Sequence, residues 1–184
     1  MLKEATIKTE QIMNKEEAAK LISTIKDKVQ FEQRDIFVMG KKYKVPRLEA
    51  WFGQSYEYSG NAFAAKAMPL FLVELKESIE KRTGQKYNSV LINLYRNGSD
   101  SVSWHADNEK ELGSDPIIAS VSLGAERKFK IKHRTNKQDK VDIVMKSGSL
   151  LVMGKGTQAN YLHCVPKTKK AIAERINLTF RYMK

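Results

Sequence analysis

The sequence predicts an α+β chain whose C-terminal part is a β-sandwich or barrel. Three observations carry this. Two stretches in the first half have helical periodicity, many short alternating segments follow Gly84, and turn residues separate those segments. In Asn14–Gln30, Ala18, Leu21, Ile22, Ile25 and Val29 recur at helical spacing, Asn14 serves as N-cap, and Glu17 stands three residues on. Asp35–Met39, Gly40-Lys41-Lys42 and Tyr43–Val45 read as a hairpin with a basic tip. Pro46–Asn61 reads as irregular and aromatic-rich, with Trp51, Phe52, Tyr56 and Tyr58. Pro69–Arg82 fits a second helix, with Pro69 in the first turn and Gly84 past the end. The candidate strands are Ser89–Tyr95, Ile117–Leu123, Arg127–Lys132, Val141–Met145, Ser149–Met153 and Ala173–Met183. Between them lie Asn97-Gly98-Ser99-Asp100, Gly113-Ser114-Asp115-Pro116, Gly124-Ala125 and Ser147-Gly148.

The 184 residues carry no Pro/Gly/Ser-rich linker and no repeat, which suits one domain. Hydrophobic residues make up 41%, enough for a core and too many for wholesale disorder. Lys and Arg number 33 against 21 Asp and Glu, a formal charge of +12. Such a balance favours a polyanionic partner, nucleic acid first, with a basic soluble enzyme as the plainer reading. The one cysteine, Cys164, allows no intrachain disulfide and points to a reducing compartment. No apolar run reaches the roughly 18 residues of a membrane span, and Met1-Leu2-Lys3-Glu4-Ala5 lacks the apolar core of a signal peptide. An intracellular protein is expected, cytoplasmic in a bacterium or nuclear in a eukaryote, with no membrane partner and a monomeric state.

Period two sorts the last candidate strand cleanly. Ile176, Leu178, Phe180 and Tyr182 take one face, and Arg175, Asn177, Thr179 and Arg181 the other. A half-exposed strand with a polar outer face explains this as an ordinary surface. A row of guanidinium, amide and hydroxyl groups facing a small anion explains it as a site, since guanidinium pairs bidentately with carboxylate.

Trp104-His105-Ala106-Asp107 places His105 and Asp107 on the same side of an extended segment, where they can share an ion. A His-x-Asp pair alone is weak, and a lone histidine is usually a satisfied polar residue. Of the other histidines, His133 lies in the cationic stretch Arg127–Arg134 and reads as surface, so His163 is the better third ligand. Two histidines and a carboxylate form the facial triad of non-heme iron(II) oxygenases, and ligand type alone leaves zinc open.

With these pieces in order, the chain resembles the AlkB-family demethylases, iron(II)- and 2-oxoglutarate-dependent dioxygenases that repair alkylated nucleic-acid bases. Asn93-Leu94-Tyr95 resembles the family's Asn-x-Tyr strand, His105-Ala106-Asp107 its first metal pair, and His163 its distal histidine. Arg175-Ile176-Asn177-Leu178-Thr179-Phe180-Arg181 resembles its Arg-x-Asn-x-Thr-x-Arg signature. The resemblance runs from about Val45 to Tyr182. It implies a double-stranded β-helix, or jelly-roll, core with N-terminal helices and a nucleotide-recognition lid. In that division, residues 1–66 hold the helix and lid, and residues 67–184 hold a helix and the catalytic core. It further implies Fe(II), 2-oxoglutarate and O2 as cofactors, with His105, Asp107 and His163 as catalytic metal ligands. Asn93, Tyr95, Arg175, Asn177, Thr179 and Arg181 are implied for 2-oxoglutarate, Arg181 pairing with its distal carboxylate. The implied reaction removes an N-methyl group as formaldehyde while 2-oxoglutarate becomes succinate and CO2.

The same resemblance implies a substrate: alkylated DNA or RNA carrying 1-methyladenine or 3-methylcytosine. Pro46-Arg47 with Tyr56-Glu57-Tyr58-Ser59-Gly60 resembles the lid of the DNA-repair branch, Tyr58 replacing a base-stacking phenylalanine. His105-Ala106-Asp107-Asn108-Glu109 puts a carboxylate, Glu109, where the family reads the exocyclic amino group of the damaged base. Val38-Met39-Gly40-Lys41-Lys42 resembles a duplex-reading finger, with Met39 where that branch has a phenylalanine wedge. Lys41, Lys42, Lys44, Arg47 and the run Arg127–Arg134 are expected to hold phosphates, and Trp51, Asn108, Gly40 and Ser59 to join the substrate contacts. An RNA demethylase, a protein hydroxylase of the same fold, and a non-catalytic basic binding module are the competing readings.

Overall fold

The computed structural model describes residues 2–38, 40–58 and 61–184, without the side chains of residues 37–38, 56–58 and 61–63. Met39 and Ser59 therefore lie outside the described residues, as do the side chains of Tyr56 and Tyr58.

The chain opens with β1 (Ile7–Gln11) and α1 (Lys15–Lys28). Asn14 caps α1 by accepting from the Glu17 amide, and the Glu17 carboxylate accepts from the Asn14 amide. Five short strands follow: β2 (Asp35–Val38), β3 (Lys41–Lys44), β4 (Leu48–Phe52), β5 (Tyr56–Tyr58) and β6 (Asn61–Phe63). Then comes α2 (Leu70–Thr83), which ends at Gly84 in the left-handed region, φ 69°. The remaining elements are β7 (Ser89–Tyr95), β8 (Val102–His105), β9 (Ile118–Gly124), β10 (Arg127–His133), β11 (Lys140–Met145), β12 (Ser149–Met153), α3 (Thr157–Asn160), β13 (Tyr161–Val165) and β14 (Arg175–Arg181).

Two antiparallel sheets form the jelly-roll. The larger has six strands in the order β1-β12-β9-β14-β7-β4, and the smaller has four, β11-β10-β13-β8. One apolar cluster joins α1 and α2 to the larger sheet through Ile25, Leu72, Ile79, Val90, Ile92, Leu178 and Phe180. A second lies between the sheets and includes Ile118, Leu151, Phe129, Ile131 and Val165. Strands β7 and β14 are therefore covered on both faces, and all seven residues of each are buried. The half-exposed reading of the last strand is excluded: its polar face points into the sandwich.

Three expectations are corrected. Pro46–Asn61 is not irregular, since β4 pairs with β7 as an edge strand of the larger sheet and Tyr56–Tyr58 pairs with Asn61–Phe63. The basic hairpin turns one residue early, with Val38 opposite Lys41 and Gly40 at φ 76°. A strand, β1, precedes the first helix and pairs with β12.

Candidate active site

Strand register builds the site. His163 on β13 lies directly across from His105 on β8, so two residues distant in sequence become a cross-strand pair. Their ring centroids are 4.3 Å apart. Asp107 follows two residues after His105, and its amide donates to Gln158 Oε1 at 2.9 Å. One ligand atom each from His105, Asp107 and His163 lie within 4.8 Å of one another. The His105 Nδ1–H donates to the Ser103 carbonyl at 2.8 Å, which leaves the lone pair on Nε2, 3.7 Å from Asp107 Oδ1. Phe129 stacks on His163 at 5.2 Å, and His163 Nδ1 is buried with no hydrogen-bond partner among the described residues.

The charges suit a cation. Burial alone would raise the Asp107 carboxyl, but Arg181, whose Nη2 donates to Asp107 Oδ2 at 2.9 Å, together with the neighbouring His163 and His105 outweighs it and the group is held at about 2. Burial pushes His105 down, and it pushes His163 down to about 3. At neutral pH the cluster is one carboxylate and two neutral imidazoles, the donor set for a divalent ion with open positions left over.

From the same cleft a polar row runs along β14. Arg175 Nε donates to Ser122 Oγ at 2.9 Å and its Nη2 to Asn177 Oδ1 at 2.7 Å. Ser120 Oγ also donates to Asn177 Oδ1, and Asn177 Nδ2 donates to Thr179 Oγ1. Arg175 is 1% exposed, lies 5.1 Å from the Tyr95 ring, and leaves Nη1 without a partner. No carboxylate among the described residues pairs with it. A buried guanidinium lacking a counter-ion is costly, and a carboxylate ligand removes that cost.

Arg181, expected at the distal carboxylate of 2-oxoglutarate, and Arg175 lie at different ends of this row. Arg181 is hydrogen-bonded to the metal-ligand candidate Asp107 and so stands at the metal end of the cleft. Arg175 is six residues away along the strand, about 20 Å of extended chain.

The other expected residues fall into three groups. Asn93, Tyr95, Thr179, Arg47 and Glu109 line the same cleft. Asn108, Gly40 and Lys41 are exposed outside it. Trp51 is 4% exposed, packs with Leu91, Leu112 and Met183, and donates its indole N–H to the Gln54 carbonyl. Arg47 is not turned toward phosphates. Its guanidinium donates to Asn93 Oδ1 at 2.7 Å and pairs with Glu49 at 2.6 Å inside the wall. Arg127 is likewise internal, donating to the carbonyls of Asn97, Asp100 and Pro166. His133, read as surface, is largely covered: it meets Tyr161 edge-on and accepts from the Thr135 and Asn136 amides. Lys42 and Lys44 both reach Asp35, at 2.9 and 2.8 Å.

Sequence reasoning missed Ser120, Ser122, Gln158 and Phe129. Ser120 and Ser122 were findable, because they alternate with Val121 and Leu123 just as the polar residues of β14 alternate with apolar ones. Gln158 carried no signal, since its four-residue helix has no periodicity to read.

The description of the matching family model is "2OG-Fe(II) oxygenase superfamily", and it spans residues 6–181. The bovine alpha-ketoglutarate-dependent dioxygenase alkB homolog 3 is 44% identical over 150 residues, covering 76% of this chain and 52% of that protein. Human DNA oxidative demethylase ALKBH2 is 37% identical over 154 residues, covering 78% and 59%. The mouse ALKBH2 is 33% identical over 183 residues, covering 92% and 77%. The chain thus spans about half the length of the first of these relatives. Among solved structures, OsALKBH1 superposes with a TM-score of 0.72 over 97% of both chains at 15% identity, a likeness of fold. On the family match and these identities, the chain belongs to the 2OG-Fe(II) oxygenase superfamily and, within it, to the AlkB family.

Proposed function

We propose that this chain is an oxidative demethylase of N-alkylated bases in DNA, with 1-methyladenine and 3-methylcytosine as its lesions. Iron(II), 2-oxoglutarate and dioxygen are the cofactors of its superfamily. The site fits them on two observations. One ligand atom each from His105, Asp107 and His163 converges within 4.8 Å, and Arg175 is a buried cation with an unpartnered Nη1 in the same cleft. The second observation carries the reading, because it calls for a ligand with a carboxylate remote from the metal.

His105, Asp107 and His163 would hold the metal, and Arg175, with Asn177 and Tyr95, would hold the distal carboxylate of 2-oxoglutarate. When bound, iron and 2-oxoglutarate supply the oxidation of an N-methyl group. The protein's part is orientation and charge. Arg181 keeps Asp107 ionised, and the Ser103 carbonyl fixes the His105 tautomer. Gln158 pins the backbone at Asp107. Glu109, at the cleft wall, would favour a base made cationic by methylation at N1 or N3. The relatives named DNA oxidative demethylase support DNA as the substrate.

The test is succinate and formaldehyde release from 1-methyladenine in single-stranded DNA, duplex DNA and RNA, with Fe(II) and 2-oxoglutarate present. Wild type should turn over at least one DNA substrate, and His163→Ala should lose iron binding and turnover together. Iron binding without turnover of any methylated nucleic acid would sink the demethylase reading.

A further inference from the structure

We propose that the outer face of the four-stranded sheet holds a single-stranded nucleic-acid segment flanking the base in the cleft, one base lying against Trp104 and the phosphates along Lys132, Lys130 and Lys128. This rests on the nucleic-acid reading above and narrows the phosphate contacts expected along Arg127–Arg134 to one face of the sheet and one occupant, with Trp104 added as a stacking platform.

Register defines the face. His105, His163 and Ile131 turn inward on three adjacent strands and line or adjoin the cleft. Their neighbours Trp104, Leu162, Cys164, Lys130 and Lys132 therefore turn outward. Trp104 is 40% exposed, whereas Trp51 is 4% exposed. The Lys132 ammonium sits 4.3 Å from the Trp104 ring centroid. It covers part of the indole and places a cation where the phosphate of a stacked nucleotide would need one. Trp104 adjoins His105 in the chain, and β8 is the edge strand of its sheet. A strand leaving the cleft can thus pass around β8 onto this face without crossing another strand of that sheet.

Lys128, Lys130 and Lys132 succeed one another every second residue, about 6.6 Å apart. That is of the order of the separation of successive phosphates on an extended strand. One carboxylate, Asp142, shares this part of the face, 3.4 Å from Lys130 and 3.9 Å from Lys128. Beyond it a groove of about 530 Å³ is walled by Lys128, Lys130, Lys167 and Lys170, with Glu126 as its acid. Charge complementarity therefore favours a polyanion. The exposed indole narrows the class, because a stacking partner must offer an open base face, which a single strand has and a duplex hides.

The experiment measures binding of an unmethylated oligothymidylate of about 15 nucleotides, a length matched to single-strand sites, by anisotropy across a salt series. Neutralising three phosphate contacts in Lys128→Gln/Lys130→Gln/Lys132→Gln should flatten the log–log salt slope by about 2. Trp104→Ala should weaken binding about fivefold or more, with Trp104→Phe restoring most of it. Binding should also quench wild-type tryptophan fluorescence, a readout that needs no variant. Turnover separates this proposal from the one it rests on. On a methylated trinucleotide, too short to reach the face, the triple variant should match wild type, while on a long methylated strand its KM should rise about tenfold. Wild type that binds as expected but never demethylates the trinucleotide would leave this surface standing and overturn the catalytic reading. A wild-type salt slope in the triple variant would overturn the surface, as would displacement of the oligonucleotide by a polyglutamate peptide at equal charge concentration.

Discussion

Strands β14 and β3 both carry cations, and they sit in opposite environments. All seven residues of β14 are buried, and all four of β3 are exposed. On β14 the polar side chains are hydrogen-bonded to one another or to neighbouring strands, and Arg175, the one of its two guanidiniums with no carboxylate partner among the described residues, thereby marks a ligand. On β3, Lys42 and Lys44 reach Asp35 while remaining more than half exposed, so solvent screens the contact. The comparison teaches that burial, rather than the number of cations, decides which charges specify chemistry. A formal charge of +12 says that a polyanion is welcome somewhere; one buried arginine says where a carboxylate goes.

The sharpest way to break that comparison is to remove the buried charge. Arg175→Gln should raise the KM for 2-oxoglutarate by about 30-fold or more, since truncating one member of a buried charge pair costs about 2–5 kcal/mol. Iron affinity without 2-oxoglutarate should barely change. Arg181→Gln should do the reverse first, weakening iron binding through Asp107, because Arg181 is the largest of the charges that hold that carboxyl at about 2. The check is a pair of titrations on each variant, iron alone and then 2-oxoglutarate. If Arg175→Gln keeps its 2-oxoglutarate affinity while Arg181→Gln loses it, Arg181 holds the distal carboxylate and Arg175 does not.

A smaller effect sharpens the same contrast through pH. Folded His163 stays neutral down to about 3, whereas in the unfolded chain it takes a proton near its ordinary value of about 6.5. Between these values the unfolded state binds more protons, so stability is full above about pH 6.5 and falls as the pH drops. The loss is about 1.4 kcal/mol per pH unit, or about 2 kcal/mol at pH 5. Asp107, also depressed, adds its loss only below its ordinary value, as the pH falls from about 4 toward 2. Denaturant titrations of the chelator-treated protein at pH 7 and pH 5 measure this. His163→Gln should remove part of the difference, His105, which burial also depresses, supplying a further share; an unchanged difference would mean that other groups set the acid limit.

The same contrast explains what the sequence made legible. Ser89–Tyr95 and Ser149–Met153 come out at their predicted bounds because their side chains are packed and alternate or run apolar without interruption. The triad was legible from residue type and spacing, and the polar face of β14 from period two. The edge strand β1 was not, because four of its five residues are exposed and backbone pairing to β12 leaves no hydrophobic pattern. β4 was hidden by Pro46 and by clustered aromatics that read as a loop, although Ala50, Trp51 and Phe52 are core. The internal use of Arg47 and Arg127 was invisible for another reason: their partners are a distant amide, a neighbouring carboxylate and backbone carbonyls, none of which a charge count can register.

The smallest expected effect comes from the exposed side of the comparison. Lys42 and Lys44 converge on Asp35, and their hydrogen bonds hold its carboxyl below the usual carboxylate range. If this hairpin meets phosphates, Asp35 is a built-in competitor for the same two ammonium groups. Asp35→Asn should then raise affinity for oligonucleotide about two- to fivefold at low salt and steepen the salt slope by less than 2, one increment per lysine released. The gain should fade near physiological salt, where exposed charges more than about 8 Å apart are screened. Thermal stability should stay near wild type, because an exposed ion pair contributes little to it. Lys42→Gln should move affinity the other way. Parallel losses in both variants would mean that the Asp35 cluster organises the hairpin rather than competing with phosphate. No change in either would remove the hairpin from the binding surface and leave the contacts to the outer face of β10.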